Sequence, residues 1–375
     1  MTTPHMTLVI TTINIPTLLE EYAANFEKHG HLEHTSAIIV GDKKTPHDAA
    51  AKVASDLRGR GFDCLYLDLP AQEQYLERFP RLKPLIPYNS DNRRNIGYLM
   101  AVEKGADILV AVDDDNFVMA DDWYAGHAHV GSSQRLETVS SANGWFNPCQ
   151  LMEYEPHCTI YARGYPYNKR WQPNKETSET TIGRVVLNGG LWLNDPDVDS
   201  LTRLSVPARG VSVRKPRVML APGTWAPINT QNTAFHRDVV PAFYFVPVGE
   251  PISGLPVERY GDIWAGFFAK KIIDHLNDRV TFGAPACDHR RNAHKLLHDL
   301  ELEFWSVVLT DPLAEVLRSW ELSGSTYSDC YAELADHLER TNWPHKKMAG
   351  EMKAFFGRMA AAMRVWVETC RQIGY

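Results

Sequence analysis

Three consecutive aspartates, Asp113, Asp114 and Asp115, follow five apolar residues in the stretch ILVAVDDDNF (residues 108–117). Neighbouring carboxylates repel one another, and the repulsion is tolerable where a cation neutralises it. A hard divalent ion such as Mg²⁺ or Mn²⁺ takes oxygen ligands and bridges to substrate phosphates. There it steadies a departing diphosphate as a Lewis acid. If the strand pleat continues through the run, Asp113 and Asp115 share one face and Asp114 points to the other. The expectation is that Asp115 takes the metal, while Asp113 takes the nucleotide ribose or the water shell of the ion. A solvated turn with a helix N-cap is the plainer reading of the same residues.

Other residue types suit the same chemistry. ACDHRRNAH sets Asp288 and His289 beside Arg290 and Arg291, a mixture of metal-ligating and phosphate-binding groups. In ERYGDIWAGFFAKKIIDHL, Asp262 stands where a loop enters an amphipathic helix, as an N-cap or as a carboxylate facing a sugar. NGGLWLN and PINTQNTAFHR combine aromatics with amides. Asn232 is read there as a holder of sugar hydroxyls, and Trp192 as an ordinary core aromatic.

These residues need a frame. TLVITT, SAIIVGD, CLYLDL and DILVAV read as short strands, and the stretches from Pro16, Pro46 and Asn92 read as helices between them. Such alternation implies a parallel sheet flanked by helices, with ligands at the carboxyl ends of strands. Three strand ends therefore matter: residues 11–14 with Thr11 and Asn14, residues 41–42 with Asp42, and residues 113–115. Neither a GxGxxG after the first strand nor a GxxxxGK[ST] is present, so the dinucleotide fingerprint and the P-loop are both excluded. From about residue 131 to 290 the composition shifts to Pro, Gly, Asn, Tyr and Trp, which suggests short strands and long binding loops. Beyond residue 293 the chain reads as helical, dividing it into a nucleotide-sugar-binding domain (1–293) and a C-terminal helical region (294–375). In the last helix Met352, Phe355, Phe356, Met359, Met363, Trp366 and Cys370 share one face, as core packing or as the interface of a homo-oligomer.

The bulk numbers agree with a globular chain. With 375 residues, 44% of them hydrophobic, the chain can bury a large core. A formal net charge of −7 gives no general attraction to nucleic acid or anionic membrane. No stretch is long and apolar enough to span a bilayer, and six scattered cysteines without CxxC pairs suit the reduced cytoplasm.

The order GDKKTP, RNIGYLMAVEKGADILVAVDDDN, ARGYPYNKR, NGGLWLNDPDVD, PINTQNTAFHR and RYGDIWAGFFAKKIIDHL resembles the reversibly glycosylated polypeptides, the UDP-arabinopyranose mutase family. The resemblance covers nearly the whole chain. It implies a GT-A type, Rossmann-like mixed sheet with flanking helices, a C-terminal helical extension, a UDP-sugar as ligand and a divalent metal (Mn²⁺ or Mg²⁺). Two arginines seven positions apart flank the Gly-Tyr-Pro segment of the family, where the first carries the sugar reversibly and both are needed. Here they correspond to Arg163 and Arg170. By the same carry-over Asp113, Asp114 and Asp115 match the metal and nucleotide motif, Arg94 an arginine of the preceding helix, and His289 a late histidine that completes the metal shell. Asp262 matches the second acidic position of an Arg-Tyr-Asp-Asp segment. Gly261 stands at the first acidic position, and Gly189 where the family tends to carry histidine. The expected activity is a mutase that cleaves and rebuilds the sugar–diphosphate bond. The alternatives are a transferase acting on a separate acceptor, and a non-catalytic assembly partner.

Overall fold

The computed structural model describes residues 3–119, 121–215, 217–292, 295–343 and 347–375. Its first part follows the expected alternation. Strands β1 (Met6–Thr12), β2 (Thr35–Gly41), β3 (Asp63–Leu67) and β4 (Ile108–Asp113) are parallel neighbours in the order β3-β2-β1-β4. Helices α1 (Leu18–His29), α2 (His47–Gly59), α3 (Leu69–Leu76) and α4 (Arg94–Glu103) connect them. Residues 108–112 of β4 are wholly buried, because both faces of a parallel sheet are covered by helices and so demand an unbroken apolar run. The unexpected α3 has a local signal, since Asp68 caps it by accepting from the Ala71 N–H at 2.9 Å and Pro70 lies in its first turn. The strand order reverses between β1 and β4, where Thr11 lies opposite Asp113. Open α/β sheets bind ligands in the crevice at such a reversal.

The middle of the chain departs from the expectation of short strands and long loops. It contributes β5 (Asn116–Val118), α5 (Trp123–His127), β6 (Ser133–Ser141), β7 (Met152–Glu155), α6 (Tyr167–Arg170) and β8 (Glu176–Asn194). There follow α7 (Ser200–Ser205), β9 (Arg209–Val213), β10 (Arg217–Leu220), β11 (Asn232–His236), β12 (Pro251–Ile252), β13 (Leu255–Pro256), α8 (Gly261–His275) and β14 (Arg279–His289). β8 runs 19 residues and β14 runs 11. Residues 176–184 carry Thr, Ser and Glu on both faces and lie largely exposed beside β6, so no apolar alternation announces the strand. The segment NGGLWLN is the largely buried end of β8. Beyond β4 the sheet continues β11-β8-β6-β10-β14-β5, with β11 antiparallel to β4 and β14 parallel to β8. β14 then pairs with β5 so that His289 lies opposite Asn116, which returns the end of a late strand to the aspartate run.

The chain ends in α9 (Leu296–Ser319), α10 (Tyr327–Arg340) and α11 (Ala349–Gln372). The expected division at 293/294 falls outside the described residues. All seven residues of the Met and aromatic face of α11 are buried within the chain itself, with the Trp366 ring stacked on Tyr244 and its Nε1–H donating to the Val240 carbonyl at 3.1 Å. That face is core, and it is not free to form a subunit interface. Among the described residues no helix is long and apolar enough to cross a membrane, and all six cysteines are free.

Candidate functional site

β4 ends at Asp113, so the pleat does not continue through the aspartates and each turns a different way. Asp113 accepts from Arg94 Nη2 at 2.5 Å, and the same nitrogen donates to Thr11 Oγ1 at 3.0 Å. Asp114 turns back to the loop after β1, accepting from Thr12 Oγ1 at 2.5 Å and from Asn14 Nδ2 at 3.0 Å. Asp115 turns forward, with Oδ2 3.5 Å from His289 Nε2. Asp42, at the end of β2, accepts from the Ser90 N–H at 3.1 Å and the Lys43 N–H at 2.7 Å. The three strand ends thus border one crevice.

Electrostatics separates the carboxylates. Burial raises Asp113, Arg94 opposes it and Asp115 adds to it, leaving the group pushed up to about 7. Burial acts on Asp115 in the same sense but is outweighed by His289 and by backbone N–H groups, which hold it below the ordinary carboxylate range. His289 is buried, which lowers it, yet Asp115 raises it above the ordinary value.

The pair fits a divalent ion. His289 Nδ1–H donates to the Asp195 carbonyl at 2.5 Å, so the ring turns Nε2 toward Asp115, as metal-ligating histidines are commonly oriented. Their 3.5 Å separation is long for a direct hydrogen bond and near that of two adjacent ligands each about 2.0–2.2 Å from one ion. Among the described residues no group of three or more His, Cys, Asp or Glu side chains forms a complete cage. Mg²⁺-type sites use one or two protein ligands and leave the rest to water and substrate phosphates.

A second cluster surrounds Arg163. Its Nε and Nη2 donate to Asp197 at 2.9 and 3.2 Å, its Nη1 and Nη2 to Asp262 at 3.1 and 2.9 Å, and its Nη1 also to the Arg259 carbonyl. Burial works against this guanidinium, but Asp197 and Asp262 outweigh it and hold the charge firmly. Asp262 is not the N-cap of α8. It is the second residue of the helix, after the capping Tyr260, and its Oδ2 also accepts from the Thr230 N–H at 3.3 Å. Arg170 donates to Asp199 at 2.5 Å and stacks on the Tyr167 ring at 3.7 Å, while Tyr167 Oη donates to the same Asp199 at 2.8 Å.

The two clusters are joined. Arg94 Nη1 donates to the Thr230 carbonyl at 2.9 Å, so Thr230 receives Arg94 on its carbonyl and presents its N–H to Asp262. Asn232, two residues on, lies apart from the crevice. It is fully buried, its amide donates to the Leu191 and Pro285 carbonyls at 3.0 Å each, and Oδ1 is 3.1 Å from His127 Nε2. Placed to hold a sugar hydroxyl by sequence, it instead ties strands together. Gly190 makes that approach possible, since a Cβ there would stand 2.4 Å from Asn232 Nδ2. Trp192 and Phe235 are core, as expected of Trp192.

Asp197 and Asp199 escaped the sequence reading, although DPDVDS repeats the Asp-x-Asp spacing of the first run. Each grips one of the two arginines that are themselves seven residues apart.

The reversibly glycosylated polypeptide family matches residues 5–374 of the chain. UDP-arabinopyranose mutase 2 of Arabidopsis thaliana is 30% identical over 291 residues, 76% of this chain and 72% of that protein. UDP-arabinopyranose mutase 1 of Oryza sativa subsp. japonica is 28% identical over 287 residues, 76% of this chain and 72% of that one. Among solved structures, glucosyl-3-phosphoglycerate synthase from Mycobacterium tuberculosis with Mn²⁺ and uridine-diphosphate-glucose aligns over 82% of this chain and 78% of its own. The TM-score there is 0.39 and the identity 10%.

Proposed function

The chain belongs to the reversibly glycosylated polypeptide family, and from that premise we propose that it is a nucleotide-sugar enzyme that opens the bond between a sugar and UDP and returns the sugar in another ring form. The observation that carries this reading is the unbroken path Asp113–Arg94–Thr230–Asp262–Arg163. It fixes the aspartates expected to face the nucleotide relative to the arginine expected to face the sugar.

Asp115 and His289 would hold Mn²⁺ or Mg²⁺, which when bound supplies Lewis-acid stabilisation of the diphosphate. Asp114 fixes the loop of Thr12 and Asn14, and Asp42 fixes the loop of Ser90, so both walls of the nucleotide crevice are preorganised. Arg163 has its N–H groups committed to carboxylates and to a carbonyl, so it attacks only if one of them takes its proton. As the anomeric carbon–oxygen bond breaks and UDP leaves, a bond from an Arg163 Nη to that carbon forms and the Nη proton passes to Asp262. While the sugar is held on Arg163 its ring carbon–oxygen bond opens, the released oxygen taking the proton from Asp262, and a different hydroxyl closes on the anomeric carbon and gives its proton back to Asp262. Reversal of the first steps then returns the sugar to UDP in the other ring form. Arg170, held by Asp199 and Tyr167, orders the segment that carries Arg163.

The second reading, transfer to a separate acceptor, is favoured by a cavity beside His289. Incubation with a radiolabelled UDP-sugar and Mn²⁺ separates the two. A ring isomer among the products supports the mutase. Label found only on an added acceptor replaces it with the transferase, and no turnover at all leaves the assembly partner.

A further inference from the structure

Across the imidazole of His289 from Asp115 lies a cavity of about 300 Å³. Val198, Ala208 and Leu296 form apolar wall, and Asp195, Arg203 and Arg291 bring charge to it. Asp195 belongs to both places, since its backbone carbonyl holds His289 and its carboxylate faces the arginines.

The charges in this cavity are unevenly matched. Each nitrogen of Arg203 is engaged, donating to Asp195, to the Val198 carbonyl at 3.2 Å and to the Pro196 carbonyl at 2.5 Å. Arg291 is not. Its side chain is only 11% exposed, it stands 4.0 Å from Asp195, and among the described residues its one hydrogen bond runs to Asp299 at 3.3 Å. Asp195 has been taken by Arg203, and Asp299 is also within 3.7 Å of Arg259. A guanidinium carries five donors in a planar fork matched to phosphate or carboxylate, and a largely buried one with most donors unspent is poised to receive such a group.

We propose that this cavity holds the anionic group, phosphate or carboxylate, of a second small ligand, with its carbon skeleton against the apolar wall. Only the role of that ligand, as acceptor beside the nucleotide sugar, rests on the reading that Asp115 and His289 face the diphosphate. Its binding does not.

The test is calorimetric titration of the full chain, free of metal and nucleotide, with inorganic phosphate and separately with acetate. Saturable phosphate binding is expected, weakened about tenfold or more in Arg291→Gln, which loses the charge-assisted contacts. Ala208→Leu, which narrows the cavity and leaves both arginines in place, is expected to weaken it as well and covers the case in which Arg291→Gln does not fold. Tighter phosphate than acetate assigns a phosphate-bearing ligand, and the reverse assigns a carboxylate. No saturable binding of either anion, unchanged affinity in both variants, or competitive displacement of phosphate by UDP with Mn²⁺ overturns the proposal, the last by placing the anion at the diphosphate position. A parallel titration with UDP and Mn²⁺ that shows no binding sinks the nucleotide reading while leaving the anion result standing.

Discussion

Arg163 and Asp262 face each other through two hydrogen bonds, Nη1 to Oδ1 at 3.1 Å and Nη2 to Oδ2 at 2.9 Å, with both side chains less than a tenth exposed. A proton leaving either Nη has a carboxylate oxygen already in place. Asp262→Asn keeps the shape, removes the acceptor and turns an amide N–H toward the guanidinium, while Asp197 still holds Arg163 through Nε. Turnover of the UDP-sugar is expected to fall about 100-fold or more, as for loss of a general base, with KM changed far less. Unchanged turnover would remove Asp262 from the proton path.

The metal pair predicts a separate phenotype. Asp115→Ala and His289→Ala each remove one of the two proposed protein ligands, so UDP affinity measured with Mn²⁺ is expected to drop about tenfold or more, the scale of damage to a metal shell. Chelation of the wild-type protein should produce the same weakened state, and the variants should gain little from added Mn²⁺. Variants that still respond to the ion like wild type would place it elsewhere.

Arg94 is expected to be structural before it is chemical. It is 2% exposed and holds Asp113, Thr11 and the Thr230 carbonyl together. Arg94→Met removes the buried member of a pair whose carboxylate is a third exposed, so the loss is expected at about 1–3 kcal/mol, less than for a fully buried pair. Chemical denaturation should register that loss, and turnover should fall further than the Asp113 contact alone explains, because the link to Asp262 is cut too. A variant as stable as wild type would show that the pair contributes nothing.

The parallel half of the sheet was legible because β1, β2 and β4 carry apolar runs, and because α1 stops on Gly30 in the left-handed conformation. The meeting of Asp115 with His289 depends on β14 lying antiparallel to β5, a pairing that no local pattern encodes. Asp197 and Asp199 were missed for a related reason. Their arginines lie 34 and 29 residues away, and acidic residues around a proline read as a solvated loop. Asn232 misled in the opposite sense, since an amide amid aromatics suits a pocket as well as it suits a buried strand that needs one polar tie.

Acid should unfold the protein through two buried histidines. Burial holds both His127 and His129 down to about 3, against an ordinary value of 6.5, with the Arg217 charge acting in the same direction. Above 6.5 both are neutral whether folded or unfolded, and their contribution is complete. As the pH falls from 6.5 toward 3 only the unfolded chain takes up the protons, so stability is lost at up to about 1.4 kcal/mol per pH unit for each. Asp113, pushed up to about 7, takes up its proton in the folded chain over the same range and offsets part of this loss. The histidine share is therefore read as the difference between wild type and His127→Gln in urea midpoints at pH 7.5, 6 and 5, which should shift against wild type as the pH falls. A difference that stays constant would show that His127 titrates normally in the folded state.

Gly189 offers a test of why this chain lacks a histidine there. A Cβ at Gly189 would stand 2.5 Å from Phe282 Cε1 and 2.7 Å from its Cδ1, so the Phe282 ring fills the volume that a side chain at 189 would need. Both residues are paired in register on β8 and β14, which leaves neither backbone free to retreat. Gly189→His alone is therefore expected to cost about 1–3 kcal/mol, the range of core overpacking. In Gly189→His with Phe282→Ala the ring is gone and the imidazole has room, so the double variant should recover stability relative to the sum of the two single changes. Additive losses in a double-mutant cycle would show that the two side chains do not compete for one space.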